Sequence, residues 1–427
     1  MTPVSDSGPV WRRLLGFTLL PAIAAISPLV VLPVIARTAG PDGWASALAG
    51  EAVGTFAAII IAYGWTTIGP AMASVSAPSV QGRLYRESIV VRSITAVAVL
   101  PITIALCAAV SSPGHTLLAV LMGVQGALIA LSYTWFAVGL GRPGSIAAYD
   151  AIPRIVLSLA MAVVILGGAP VEFYPAAGIA VTLIGTLVYS ISTLRAYPAG
   201  WPRLSSIPAL FHRGAPAAVN EAGLGLYSAV PVPLVNVLSS GPEAAGFASA
   251  DKLMRLGQFL PITLANALQS WTGEAHHGGR AARLRRSLVA HSALGILGWA
   301  VFAVLGPPVS ELLFGNVSTA PWPIFLILGF SFACFSVRTS LIRHFLFPTG
   351  AAAAVMRATL IASATGLPLL VGLSLWLGPI GATIGYTWIE ATSLALLLGR
   401  SAEAYRALRD HPVSVPPADV PHPRMDG

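Results

Sequence analysis

The only lysine of this chain, Lys252, lies beside two other charged residues in an otherwise apolar stretch. Asp251 precedes it directly, and Arg255 follows three positions later. A charge at bilayer depth costs about 2.5 to 3.5 kcal/mol on insertion scales, so it is retained mainly where it faces protein or a water-filled cavity. If this stretch crosses a membrane, its charges therefore predict an internal binding site or a buried ion pair.

The composition places this stretch in a membrane. Of the 427 residues, 56% are hydrophobic and only 9% are charged, and the mean hydropathy is +0.78. Soluble globular chains carry about 25% charged residues, so the chain is predicted to be a polytopic membrane protein. Its formal net charge of +8 comes from arginines dispersed among the loops, which favours membrane anchoring and contact with anionic lipid over nucleic-acid binding.

Apolar runs of about 20 residues, the length of a helix that crosses a bilayer, predict an all-α fold with twelve transmembrane spans. The predicted positions are 15–36, 45–73, 88–110, 116–140, 146–169, 173–195, 214–238, 246–273, 287–306, 322–346, 351–376 and 379–400. Arginines collect in alternate loops, as they do on the cytoplasmic side of membrane proteins. We therefore expect both termini in the cytoplasm.

The two halves of the chain repeat each other. Three matches recur at a spacing of about 200 residues: Gly40-Pro41-Asp42 with Gly241-Pro242-Glu243, Arg83-Leu84-Tyr85-Arg86 with Arg283-Leu284-Arg285-Arg286, and Glu51 with Asp251. An even number of spans separates the copies, so the repeat is parallel. We expect a cytoplasmic tail at 1–11, an N-terminal lobe at 12–196, a linker at 197–213, a C-terminal lobe at 214–405 and a disordered cytoplasmic tail at 406–427. Parallel repeats are typical of transporters with a substrate site between the halves.

Span eight carries the candidate site. Its polar residues recur at helical spacing and predict one stripe that faces an aqueous cavity, with a second helix as the other possible neighbour: Asp251, Arg255, Gln258, Asn266 and Gln269. Asp251 and Arg255 are four apart and can pair within the helix. That pairing would leave Lys252 as the less compensated cation.

Three carboxylates are candidates for coupling transport to H⁺ or Na⁺: Glu51, Glu221 and Asp251. Glu51 lies in span two, where Arg37 at the end of span one is expected to reach it. Glu221 lies in span seven, which Pro231 and Pro233 interrupt. Prolines permit a bend in a membrane helix, so span seven is either the moving element or a static kink.

Other intramembrane charges are predicted to form structural pairs: Glu87 with Arg83, Asp150 with Arg154, and Glu390 with Arg338. No phosphate-binding glycine loop, metal-ligand cluster or nucleophile motif is present in the sequence. The sequence thus predicts neither a cofactor nor a metal, and no enzyme activity.

One segment resembles a known family. The run from Gly241 to Leu253, GPEAAGFASADKL, and its continuation RLGQFLP from Arg255 to Pro261 are similar to the outer turn and following helix of polysaccharide-exporting flippases. With the twelve spans and two lobes, the chain resembles the multidrug/oligosaccharidyl-lipid/polysaccharide (MOP) exporter superfamily, nearest its Wzx-type branch. The resemblance implies a central cavity lined by spans one, two, seven and eight. It also implies transfer of undecaprenyl-diphosphate-linked oligosaccharide from the inner to the outer leaflet of a bacterial plasma membrane.

For such a cargo, a diphosphate needs compensating cations in a low-dielectric region. Lys252, Arg255 and Arg37 are the expected diphosphate ligands, while the amides of the stripe, Gln258, Asn266 and Gln269, would contact sugar hydroxyls. We expect a monomer, since the repeat already supplies both halves.

Two alternatives stay open from the sequence. The candidate carboxylates also fit a cation-coupled multidrug antiporter of the same superfamily, which needs an acidic cavity for cationic cargo. A membrane-embedded glycosyltransferase or polysaccharide polymerase has a similar number of spans, but such enzymes generally carry catalytic groups on a sizeable extramembrane loop. The short outer loops of this chain disfavour that class.

Overall fold

The computed structural model describes residues 27–273 and 280–410, and helices make up most of this part of the chain. The N-terminal lobe contains α1 (Leu32–Ala62), α2 (Trp65–Ser74), α3 (Pro78–Val110), α4 (Thr116–Leu128), α5 (Thr134–Gly139), α6 (Pro143–Ile146), α7 (Ile152–Leu166) and α8 (Phe173–Ala196). The C-terminal lobe contains α9 (Ile207–Ala229), α10 (Pro231–Leu238), α11 (Gly241–Gly257), α12 (Phe259–Gly273), α13 (Arg280–Phe314), α14 (Trp322–Ser340), α15 (Ala352–Leu377) and α16 (Pro379–Asp410). Short 3₁₀ segments lie at Ser27–Val30, Ile129–Leu131, Leu204–Ser206, Asn316–Ser318 and Phe347–Thr349, and π-helical segments at Ala147–Ala151 and Leu341–Leu346.

These helices confirm the predicted all-α membrane architecture. Nine helical stretches within the described residues are long and apolar enough to cross a bilayer. Helices also occupy predicted span eight, as α11 and α12, and predicted span twelve, as α16. Span one is described from residue 27 onward; its first part, the tail at 1–11 and residues 411–427 lie outside the described residues. Helix α9 begins at Ile207, inside the segment predicted as the linker.

The repeated Gly-Pro-acid motifs form corresponding turns. The first lies within the range of α1, which the non-helical backbone at Gly40 divides into two helical segments. Gly40 has φ +71°, a conformation that glycine adopts without a steric penalty, and the chain reverses there, so that Pro28 and Glu51 line one cavity. In the other lobe, Ser240 caps α11 through reciprocal hydrogen bonds with Glu243. The two lobes are thus built around equivalent turns.

Glycines let two helices of the N-terminal lobe pack closely. Gly50 and Gly54, four residues apart on α1, face the backbone of Ala119 and Gly123 on α4, with no room for a Cβ at either glycine. Small residues at this spacing are a common means of close helix contact in membranes.

Gly54→Leu should therefore destabilise the chain, by up to about 3 kcal/mol, because the added side chain would press on the backbone of α4. Thermal unfolding of the detergent-purified chain measures the effect. Gly372→Leu is the matched control, since Gly372 is a helical glycine with open space around its Cβ position. Equal unfolding temperatures for the two variants would contradict this account of the packing.

Two arginines expected to anchor loops at the membrane surface are instead buried. Arg92 donates to the carbonyls of Ala130 (2.9 Å) and Ser132 (2.7 Å), where span four is interrupted. Arg86 donates to the carbonyls of Leu194 (3.1 Å) and Tyr197 (2.8 Å) at the end of α8. The expectation of surface anchoring is wrong for both, because they satisfy carbonyls that broken or ending helices leave free.

The three predicted structural ion pairs are present. Arg154 lies 2.8 Å from Asp150, and Glu87 lies 3.8 Å from Arg83. Arg338 lies 3.0 Å from Glu390 in the interior of the C-terminal lobe. Tyr227 joins this last pair, accepting a hydrogen bond from Arg338 (3.1 Å) and donating one to Glu390 (3.0 Å). The pair and its partners thus connect α9, α14 and α16.

Candidate substrate cavity between the lobes

Two adjoining cavities lie where the lobes meet, with volumes of about 490 Å³ and 1350 Å³. Four residues line both: Glu51 and Thr55 of α1, and Lys252 and Arg255 of α11. The smaller cavity continues along α9 and α10, and the larger one extends into the N-terminal lobe. The candidate site therefore has charged residues at its centre.

An ion pair joins the two lobes across this site. Lys252 Nζ lies 2.6 Å from Glu51 Oε1 and 2.8 Å from Glu51 Oε2. Each residue lies about three helical turns beyond the Gly-Pro-acid turn of its own lobe, and the two face each other across the boundary. The expectation that Lys252 is the less compensated cation is wrong, because Glu51 neutralises it.

Arg255 also has a carboxylate partner. Its Nε lies 2.5 Å from Asp251 Oδ2, and its guanidinium donates to the carbonyl of Ser228 on α9. The predicted pairing within the helix is therefore confirmed. A third cation, Arg154, lines the larger cavity together with Lys252 and Arg255. Each of these three cations is paired with a carboxylate in this conformation.

The N-terminal side of the larger cavity has a polar wall that sequence reasoning missed: Gln125, Ser158, Tyr174 and Thr182. None is charged, so none stands out in an apolar span. Their spacing was the available signal. Arg154 and Ser158 are four apart, and Tyr174, Gly178 and Thr182 follow at steps of four, which places each set on one helix face.

Several predicted site residues lie elsewhere. Arg37 is exposed and donates to the carbonyl of Leu312 at the end of α13, so it does not reach Glu51. Asn266 is exposed and accepts a hydrogen bond from Arg343. Gln269 is also exposed, and neither it nor Gln258 lines the two cavities.

The predicted stripe fails because span eight is not one continuous helix. It breaks after Gly257 and resumes at Phe259. Pro261 lacks an N–H and its ring conflicts with the carbonyl four residues earlier, which is that of Gly257. The helical phase of Asp251 therefore does not extend to the amides after the break.

Glu221 lies apart from the charged centre. It is half-buried in α9, and its Oε1 is buried without a hydrogen-bond partner in the described part of the chain. The Oδ1 atom of neighbouring Asn220 is also buried and has no hydrogen-bond partner among the described residues. The predicted break in span seven is confirmed between Ala229 and Pro231.

The lobes touch at both ends of the interlobe site. Near the repeated turns, Trp44 donates to Ser249 (2.9 Å) and its ring stacks on Phe314, with the centroids 5.1 Å apart. At the opposite end, Arg213 lies 2.9 Å from Glu87. The lobes are therefore in contact on both sides of the charged centre.

Solved structures of membrane transporters have a fold similar to that of this chain. The lipid II flippase MurJ in an inward closed conformation superposes with a TM-score of 0.67 at 13% identity, over 92% of this chain and 89% of that one. A MOP superfamily transporter from Pyrococcus furiosus gives 0.57 at 14% identity, over 94% and 97%. The Vibrio cholerae MATE transporter VcmN in the bent form gives 0.53 at 15% identity, over 94% and 98%.

At these identities the likeness establishes the fold. The similar structures are two transporters and a flippase. No protein-family model matches the chain, and no curated protein sequence does.

Proposed function

We propose that this protein moves an undecaprenyl-diphosphate-linked oligosaccharide from the inner to the outer leaflet of a bacterial plasma membrane by alternating access, as a monomer with both termini in the cytoplasm. The observation that carries the proposal is the position of Lys252 and Arg255, which both face the interlobe cavity from one helix. They offer two cations to the two phosphates of the cargo. Charge-assisted hydrogen bonds of this kind are stronger than neutral ones.

The ion pairs Lys252–Glu51 and Arg255–Asp251 lower the free-energy cost of keeping these two cations inside a membrane. A buried charge without a partner is costly, and Glu51 and Asp251 supply partners while the cavity holds no cargo. An entering diphosphate takes over Lys252 and Arg255. The released carboxylates then need a proton or Na⁺, and this exchange is the proposed role of Glu51 and Asp251 in ion coupling. Glu221, whose Oε1 has no hydrogen-bond partner within residues 27–273 and 280–410, is a further candidate.

The glycan is assigned to the N-terminal wall. Gln125, Ser158 and Thr182 offer hydrogen-bond donors and acceptors for sugar hydroxyls, and Tyr174 adds an aromatic face. These residues take the role expected for Gln258, Asn266 and Gln269, which lie off the cavity. Arg37 would contribute at the outer rim in a different conformation only.

Polymer export by cells that lack their own polysaccharide flippase tests the proposal. Lys252→Ala should reduce export about 10- to 150-fold, since a hydrogen bond to a charged group contributes about 1.5 to 3 kcal/mol. Lys252→Arg should keep most of the export, and Asn266→Ala, exposed on α12, serves as the control. Normal export by Lys252→Ala at equal protein level would refute the assignment.

The cavity also supports a second candidate, a cation-coupled multidrug antiporter. The smaller cavity is lined by two carboxylates and two cations. A cationic drug could therefore bind Glu51 or Asp251 in place of Lys252 or Arg255, just as a diphosphate would bind Lys252 and Arg255 in place of the carboxylates. Uptake of a cationic dye into proteoliposomes under a proton gradient, lost in Glu51→Gln, would favour this candidate.

A further inference from the structure

A third cavity, of about 870 Å³, lies in the C-terminal lobe away from the interlobe site. It is bordered by α13, α16 and the π-helical segment Leu341–Leu346. Leu288, Phe345 and Leu398 provide apolar wall, and the polar groups are Arg285, Ser401 and Tyr405. The cavity is thus an amphipathic groove, unlike the charged centre between the lobes.

The groove lies at the arginine-bearing ends of its helices. Arg285 is near the start of α13, and Ser401 is in the last third of α16. By the arginine distribution, this end is the cytoplasmic one. The groove therefore sits where the headgroups of the inner leaflet meet the hydrocarbon.

Two polar groups of the groove are available to a ligand. Arg285 is exposed, and no ion pair joins it to a carboxylate within residues 27–273 and 280–410. Ser401 is 3% exposed, and its Oγ finds no hydrogen-bond partner in the same part of the chain. A serine in a helix commonly donates a hydrogen bond to the carbonyl four residues earlier. Ser401 does not make this bond, so its hydroxyl can donate to an oxygen of a bound ligand.

We propose that the groove binds one anionic phospholipid of the inner leaflet, of the phosphatidylglycerol class. Its phosphate would lie on Arg285, an ester or glycerol oxygen on Ser401, and an acyl chain along Leu288, Phe345 and Leu398. Basic pockets between membrane helices on the cytoplasmic side recognise anionic headgroups in this way. The apolar wall requires the hydrocarbon chain, which a soluble phosphate compound lacks.

Photo-crosslinking of the full chain in nanodiscs tests the proposal. The probe is phosphatidylglycerol with a diazirine on one acyl chain, and the labelled peptides are mapped by mass spectrometry. We expect labelling of the segments around Phe345 and Leu398. Arg285→Ala should lower it about five-fold, the effect of one basic residue near an anionic headgroup. Arg286→Ala is the matched control, because Arg286 is exposed beside Arg285 and does not line the groove.

Leu398→Trp provides a second, charge-neutral variant. Leu398 is 47% exposed, so the larger ring can be accommodated while it fills the groove. Labelling should fall with it while the unfolding temperature stays unchanged. Equal losses in Arg285→Ala and Arg286→Ala, equal labelling by a phosphatidylcholine probe, or crosslinks showing residues 411–427 seated in the groove would each overturn the proposal.

Discussion

Glu390→Ala should destabilise the folded chain by about 3 to 5 kcal/mol, because it leaves the Arg338 guanidinium buried without its counter-ion. Arg338 and Glu390 are 6% and 0% exposed, so water cannot replace the lost partner. Tyr386 donates to the same carboxylate (3.3 Å), and its hydroxyl loses that acceptor as well. We expect loss of monodisperse protein on size exclusion and a lower unfolding temperature.

The double variant Arg338→Met with Glu390→Leu separates charge from packing. Apolar replacements of similar volume often restore or exceed the stability of a buried pair, so the double variant should recover most of the loss. Glu403→Ala is the control, since Glu403 forms an exposed pair with Arg400 at 3.4 Å and such pairs contribute about 1 kcal/mol or less. Equal effects of Glu390→Ala and Glu403→Ala would contradict the assignment.

Glu51→Gln and Lys252→Ala should change diphosphate binding in opposite directions. Glu51 competes with a phosphate for Lys252, so its neutralisation should tighten binding, whereas removal of Lys252 should weaken it. The pair is partly solvated, since the side chain of Lys252 is 15% exposed and that of Glu51 is 32% exposed. We therefore expect shifts of about five- to thirty-fold, equivalent to roughly 1 to 2 kcal/mol.

The affinity of the detergent-purified chain for farnesyl diphosphate, a short polyprenyl diphosphate, measures both variants. Glu403→Gln, at the exposed end of α16, should leave the affinity unchanged. A purely structural lock between the lobes would make both variants shift the affinity in the same direction. That outcome would remove the charge exchange from the mechanism.

Local spacing explains which parts of the site could be predicted from the sequence. Asp251 and Arg255 pair because four residues make one helical turn, and no tertiary information is needed. Arg338 and Glu390 could be matched because each stood alone among apolar residues of one lobe. Glu51 was matched to Asp251 by the repeat, but its contact with Lys252 required the relative rotation of α1 and α11. That rotation is set by side-chain packing, which a single sequence does not reveal.

The remaining differences have two physical sources. Neutral polar residues such as Gln125 and Thr182 cost little free energy in a membrane helix, so the sequence does not distinguish those that line a cavity from those that do not. The predicted position of Asn266 and Gln269 on the stripe assumes one straight helix, and the break after Gly257 removes that phase relation. Pro261, four residues after Gly257, is the feature of the sequence that indicates this break.

Transfer of a fluorescent undecaprenyl-diphosphate sugar across proteoliposomes tests the central claim most directly. Purified chain should move the lipid between leaflets, and the Lys252→Ala and Asp251→Ala variants, reconstituted at equal density, should lose that transfer. No transfer by the unmodified chain, together with uptake of a cationic dye under a proton gradient, would contradict the flippase assignment and identify an antiporter.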